Sequence, residues 1–215
     1  MSDTSQQARE RHLQRIEVYK SFGYDRPAAV CYAVDRLELF EGTVLDVGTG
    51  QGLLAIELAR RGASVVSIDV NEEEQRVGKL NADHEGLSQR ITFLPLDAQT
   101  LPFPDGTFGA VATLDALHHF ADGPAVFSEM RRVLEPSGRI LLAEFTPDGF
   151  ALVARVHESE GRTGRLYQLR RLPGREYRIR PRRDEKERRR RDPRCDGVPR
   201  RVPPCPHIDY WGPVA

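Results

Sequence analysis

The stretch from Val44 to Gly52, VLDVGTGQG, sets a carboxylate two residues ahead of three glycines at every second position. Glycines in such a loop permit positive φ and let the backbone approach a ligand with no Cβ between them. Two cofactor classes use this device. A dinucleotide asks for G-x-G-x-x-G, with its pyrophosphate on an open helix N-terminus. Here Gly48, Gly50 and Gly52 give G-x-G-x-G, and Leu53 stands where the last glycine of that pattern belongs. Asp46 repels a pyrophosphate and suits an ammonium group. The residues therefore favour a cofactor with a cationic amino-acid part. Downstream, His118 and His119 follow an apolar run. Imidazoles at the mouth of a site serve as a base or orient an acceptor; the bland alternative is that they cap or pack the next helix. Asp115 has the same two readings, cofactor contact or helix cap.

These residues must be positioned by alternating strands and helices. Thr43–Val47 is short, β-branched and followed by Gly, the pattern of a buried strand. Leu53–Ala59 has helical spacing and a basic end before Gly62. Ser64–Asp69, Ile91–Leu94, Phe108–Leu114 and Arg139–Phe145 read as further strands. Asn71 caps a helix that begins Glu72-Glu73-Glu74, which suits the positive end of a helix dipole. Val126, Phe127, Met130, Val133 and Leu134 form one helical face, ended by Pro136-Ser137-Gly138. Residues 1–20 and 151–160 read as helices, and 35–40 as the end of another. Such alternation implies a doubly wound, mostly parallel α/β sheet with helices on both faces. Ligands in that architecture bind beyond the carboxyl ends of the strands, where the strand order reverses.

The ordered set of motifs resembles the class I S-adenosylmethionine-dependent methyltransferases. VLDVGTGQG is similar to their first motif, and Asp69, about 23 residues after Asp46, to their acidic residue at the end of the second strand. Asp97-Ala98, FGAVATLDALHHF and MRRVLEPSGRILLAEF resemble the later motifs in order. The likeness covers about residues 10–150. It implies a Rossmann-like fold and S-adenosyl-L-methionine as cofactor. Gly48, Thr49 and Gly50 would line its methionine part, Gly52 would be a further cofactor-binding residue, and Asp46 would hold the loop and meet the amino group, directly or through water. Asp69 would accept from the ribose hydroxyls, Val70 would flank the adenine, and Asp97 with Ala98 would meet its edge. Leu114 and Asp115 would close over the methionine part. His118 and His119 are the candidate catalytic residues. The Asn/Asp-Pro-Pro-aromatic motif of amino methyltransferases is absent after the fourth strand, where Leu114-Asp115-Ala116-Leu117 stands. The acceptor expected is a small molecule, quinone precursors included.

Composition divides the chain. Residues 1–161 hold 15 Lys/Arg and 25 Asp/Glu, net −10, whereas 162–201 hold 17 and 6, net +11. The expected domains are a methyltransferase domain over 1–160, with its cofactor-binding core at 41–146, and an Arg/Pro-rich tail over 161–215 too poor in apolar residues to order itself. Three readings of 162–201 compete: a nucleic-acid-binding arm, a tail paired with the acidic body, or a frameshift product, the reading favoured here. The rival function is a basic-tailed nucleic-acid-binding protein whose methyltransferase-like domain is inactive or RNA-directed. No convincing pair of strands follows Phe150, so the sheet is expected to lack the family's antiparallel edge hairpin. Cys31, Cys195 and Cys205 lack C-x-x-C spacing, so neither a disulfide framework nor a metal site is expected. No apolar run is long enough to span a membrane. The expected location is the cytoplasm.

Overall fold

A computed structural model describes residues 5–37, 42–161 and 206–211. Its six-stranded sheet has the order β3-β2-β1-β4-β5-β6. The strands are β1 (Thr43–Val47), β2 (Ser64–Ile68), β3 (Ile91–Leu94), β4 (Phe108–Leu114), β5 (Leu134–Phe145) and β6 (Ile208–Trp211). The first five pair in parallel. The chain winds outward from β1 to β3, then returns to the other side of β1 with β4. The strand order thus reverses between β1 and β4, where Asp46 pairs with Ala112. The loops leaving these two strands lie side by side at the switch point.

The helices are α1 (Ser5–Ser21), α2 (Arg26–Leu37), α3 (Leu53–Arg60), α4 (Glu72–His84), α5 (Gly123–Val133) and α6 (Pro147–Ser159). Alternate strand residues feed two cores, one on each face. Val44, Ala110, Ala112, Leu141 and Ala143 pack with residues of α2, α3 and α6. Leu45, Val47, Val111, Ile140 and Leu142 pack with Val126, Met130 and Val133 of α5. Every residue of β4 is buried, as a central strand covered on both faces requires. Local signals set the helix starts. Asn71 Oδ1 accepts from the Glu73 and Glu74 N–H groups at 3.1 Å each. Asp122 caps α5, and Thr146 caps α6 one residue before Pro147.

Three expectations need correction. The first concerns the approach to β5. Helix α5 ends at Val133, and Leu134 already belongs to the strand, paired with Phe108. Arg139 then pairs with Ala110, so residues 135–138 bulge out of the ladder. Pro136 cannot donate a ladder hydrogen bond, which fits its place in the bulge. The second is that α6 starts at Pro147, before the expected 151, on the Thr146 cap. The third is the missing edge. Ile208–Trp211 pairs antiparallel with β5, from Phe145↔Ile208 to Leu142↔Trp211. The last part of the segment assigned to a separate tail therefore belongs to the sheet. Ile208 is buried in the α2/α3/α6 core. Residues 162–201, the basis of the arm, tail and frameshift readings, lie outside the described residues.

Gly149 in α6 admits this returning strand. A Cβ at Gly149 would lie 2.1 Å from the His207 carbonyl oxygen. That oxygen accepts from Thr146 N–H at 2.8 Å, so neither side yields easily. Gly149→Ala is expected to destabilise the chain by about 1–3 kcal/mol, the usual cost of overpacking. Urea unfolding of the variant against the wild type measures this, and an unchanged midpoint would mean that the β6 connection does not pack there.

Candidate active site

The loop after β1 is bonded to β2. Gly48 and Thr49 N–H both donate to Ile68 O, at 2.9 and 3.0 Å. Gly48, Gly50 and Gly52 have φ of 83°, 48° and 85°, so all three are in the left-handed region. Asp69 follows β2 and holds the loop from outside: its Oδ2 accepts from Gly50 N–H at 2.8 Å and its Oδ1 from Asn71 N–H at 2.9 Å. The N-cap of α4 is Asn71, which disposes of the cap reading for Asp69. Each Asp69 oxygen keeps a further lone pair for a hydroxyl donor. Val70, next to it, is 70% exposed, an apolar surface at the rim.

Asp46 lies beneath the loop and is 1% exposed. Its Oδ2 accepts from Ser67 Oγ at 2.7 Å, and Ser67 Oγ lies 2.5 Å from Thr49 Oγ1. Asp46 Oδ1 is buried with no hydrogen-bond partner. Burial pushes the carboxyl up to about 7; the Ser67 hydrogen bond opposes this and the Asp69 charge adds to it. A buried carboxylate with one orphaned oxygen is a cost that a cationic ligand group offsets. On that observation the site fits a cofactor carrying an ammonium group.

A second set of groups stands at the end of β4. Asp115 has φ 54°, the one described residue other than glycine in the left-handed region. Its Oδ2 accepts from Tyr24 Oη at 2.6 Å, and its Oδ1 is buried without a partner. Burial raises its carboxyl to about 7, against the opposing Arg26 charge and the Tyr24 hydrogen bond. Asp115 is thus tied to Tyr24, and no helix cap is formed by it. His118 and His119 sit in one 3-10 turn, ring centroids 4.0 Å apart. Burial lowers the His119 pKa, and the neighbouring His118 adds to this. The two sets meet where a Cβ on Gly48 would lie 2.5 Å from Ala116 Cβ.

Leu114 and Ala98 are buried, in the cores on opposite faces of the sheet. Asp97 accepts from Gln99 N–H at 2.9 Å in a local turn, and among the described residues no bond ties it to Asp69. Its segment is held from α5: Arg132 donates to Leu101 O and Phe103 O, and Glu129 accepts from Leu101 N–H. Several residues here escape sequence reasoning. Ser67 and Glu144 left a trace, each a polar residue inside an apolar strand. Tyr24 left none, nor did His12, whose Nδ1 lies 2.5 Å from Gln51 Oε1 on the glycine loop.

Residues 45–142 match the methyltransferase domain family. The demethylmenaquinone methyltransferase of Thermus thermophilus is 41% identical over 145 residues, 64% of each chain. Other curated relatives, C-methyltransferases of ubiquinone and menaquinone biosynthesis, are matched over about half their length. A solved S-adenosylmethionine-dependent methyltransferase from Aquifex aeolicus shares the fold, with TM-score 0.52, 23% identity, and coverage of 70% of this chain and 90% of that one. The [4+2]-cyclase SpnF superposes with TM-score 0.53 at 27% identity, covering 66% and 61%. The stretch that forms β1 to β5 is thus similar in sequence to the methyltransferase domain family and in fold to a solved S-adenosylmethionine-dependent methyltransferase.

Proposed function

We propose that this chain binds S-adenosyl-L-methionine in the crevice between the β1 and β4 loops and transfers its methyl group to a small-molecule acceptor. The orphaned Oδ1 of Asp46 under the glycine loop carries this reading. Asp46 would face the cofactor's amino group, Gly48, Thr49, Gly50 and Gly52 its amino-acid part, and Asp69 its ribose. Val70, Asp97 and Ala98 would flank the adenine, and Leu114 and Asp115 would close the site. When bound, the cofactor supplies a methyl group already activated by a sulfonium. The chain's own task is to align an acceptor, exclude water and take a proton where the acceptor carries one. His118 and His119 would take that last role.

A quinone precursor is the first acceptor to try, since the Thermus relative bears that activity in its name. The same name favours a small molecule over nucleic acid. SpnF keeps a second reading in play, a cyclase on this fold, because fold alone does not fix chemistry. No helix among the described residues is long and apolar enough to cross a membrane; the cytoplasm is proposed on the cysteine usage. Calorimetric titration of the full chain with S-adenosylmethionine, followed by labelled-methyl transfer to reduced demethylmenaquinone, tests the proposal. Saturable binding and a labelled product are expected. Binding without any methylated product across an acceptor panel would favour the cyclase type of chemistry, and no binding would defeat the proposal.

A further inference from the structure

Glu144, next to last in β5, is 1% exposed, and its carboxylate accepts from two backbone N–H groups and meets an imidazole nitrogen. Its Oε1 takes Phe145 N–H at 2.8 Å. Its Oε2 takes His118 N–H at 3.0 Å and lies 2.9 Å from His118 Nδ1. A carboxylate in that position can only accept, so the proton on the imidazole belongs at Nδ1. The lone pair is then at Nε2. Among the described residues no group engages Nε2, and it is not sealed in the core. The ring is fixed on its other sides. Phe150 meets it edge-on at 5.2 Å, and Phe145 lies 5.9 Å away. An imidazole with its tautomer and orientation both set by a buried carboxylate is built to take up a proton.

We infer that Glu144 is the positioning residue that holds His118 as the proton acceptor for the incoming methyl acceptor. The inference rests on the methyl-transfer reading. In the step, the O–H or N–H bond of the acceptor breaks and its proton passes to His118 Nε2. The electron pair stays on the acceptor, which becomes the nucleophile. Glu144 remains a carboxylate and stabilises the imidazolium across the Nδ1–H bond. The proton later leaves Nε2 for water, which restores the neutral ring.

Two measurements on the full chain test this. Imidazole nitrogen NMR of the protein alone reads the tautomer: His118 is expected as Nδ1–H in the wild type and as a mixture in Glu144→Gln. An Nε2–H tautomer in the wild type overturns the inference without reference to any substrate. Kinetics with 1,4-dihydroxynaphthalene as acceptor then divide the roles. Glu144→Gln should lower kcat by about 10²-fold, and His118→Ala by ~10²–10⁴-fold, the span of general-base catalysis. The double variant should lose no more than His118→Ala alone, because the two act as one unit. KM, and cofactor affinity by calorimetry, should stay at wild-type values. Independent, multiplying losses, or a Glu144→Gln defect confined to KM, would reduce Glu144 to a packing residue. If the wild type fails to bind S-adenosylmethionine, the functional reading falls while the tautomer result still judges the dyad.

Discussion

Gly48→Ala is expected to abolish cofactor binding and to lower the melting temperature, whereas Gly50→Ala should lose the cofactor with little loss of fold. The two glycines stand two residues apart in one loop, but they face different surroundings. At Gly48 a Cβ would lie 2.5 Å from Ala116 Cβ, on a backbone with φ 83°. The left-handed region costs a residue with a Cβ about 1–2 kcal/mol, and forcing a methyl group into packed structure costs about 1–3 kcal/mol more. Together these predict a melting point lower by roughly 5–15 °C for a chain of this size. At Gly50, by contrast, nothing lies within 4 Å of a built Cβ, and φ 48° is in the milder part of the same region. Gly50→Ala therefore costs about 1 kcal/mol of stability. Its added methyl group points into open space beside Asp69, where the cofactor is proposed to lie. Thermal melts and calorimetry on both variants separate the two effects. Wild-type affinity in a well-folded Gly50→Ala would mean that the loop does not approach the cofactor at that residue.

What was legible in this chain was local. The glycine triplet, the Asn71 cap and the β4 run are decided by residues within a few positions of one another. Their spacing placed the glycine loop at the end of β1, with Asp46 beneath it. What escaped was set by contacts across the chain. Tyr24 reaches Asp115 over a separation of 91 residues, and Glu144 reaches His118 over 26. No periodicity records such a meeting. Asp97 is a different case: the motif order marks it for the adenine, and the bonds it makes within the chain are those of a turn residue. The edge strand was missed for a physical reason too. Ile208–Trp211 is four residues long and follows a proline-rich run, and its pairing exists only once β5 offers an open edge.

Asp46 and Asp115 should make the cofactor-free protein more stable at pH 5.5 than at pH 8. Both carboxyls sit near 7 in the fold, chiefly because burial disfavours their charge, against an ordinary value of 3.8 in the unfolded chain. Between these values the folded protein keeps a proton that the unfolded chain has released. The stability this represents is complete below about 4, and it is lost as pH rises through about 7, with a slope of up to ~1.4 kcal/mol per pH unit for each group. Glu129 works the other way. Its hydrogen bonds with Arg132 and Leu101 N–H hold it at about 2, so its contribution disappears only in strong acid. Asp46→Asn should therefore raise the melting point at pH 8 and flatten the profile. The cofactor reverses the sign. An ammonium group at Oδ1 favours the ionised carboxyl, so binding near pH 6 should release a proton, and affinity should climb from pH 5 to pH 8. Asp46→Asn should lose that slope together with roughly 10–100-fold in affinity, the worth of a hydrogen bond to a charged group. Calorimetry in buffers of different ionisation heat counts the proton directly. A stabilised Asp46→Asn that binds as tightly as the wild type would place the ammonium elsewhere, and the unpartnered Oδ1 of Asp115 would be the next group to test.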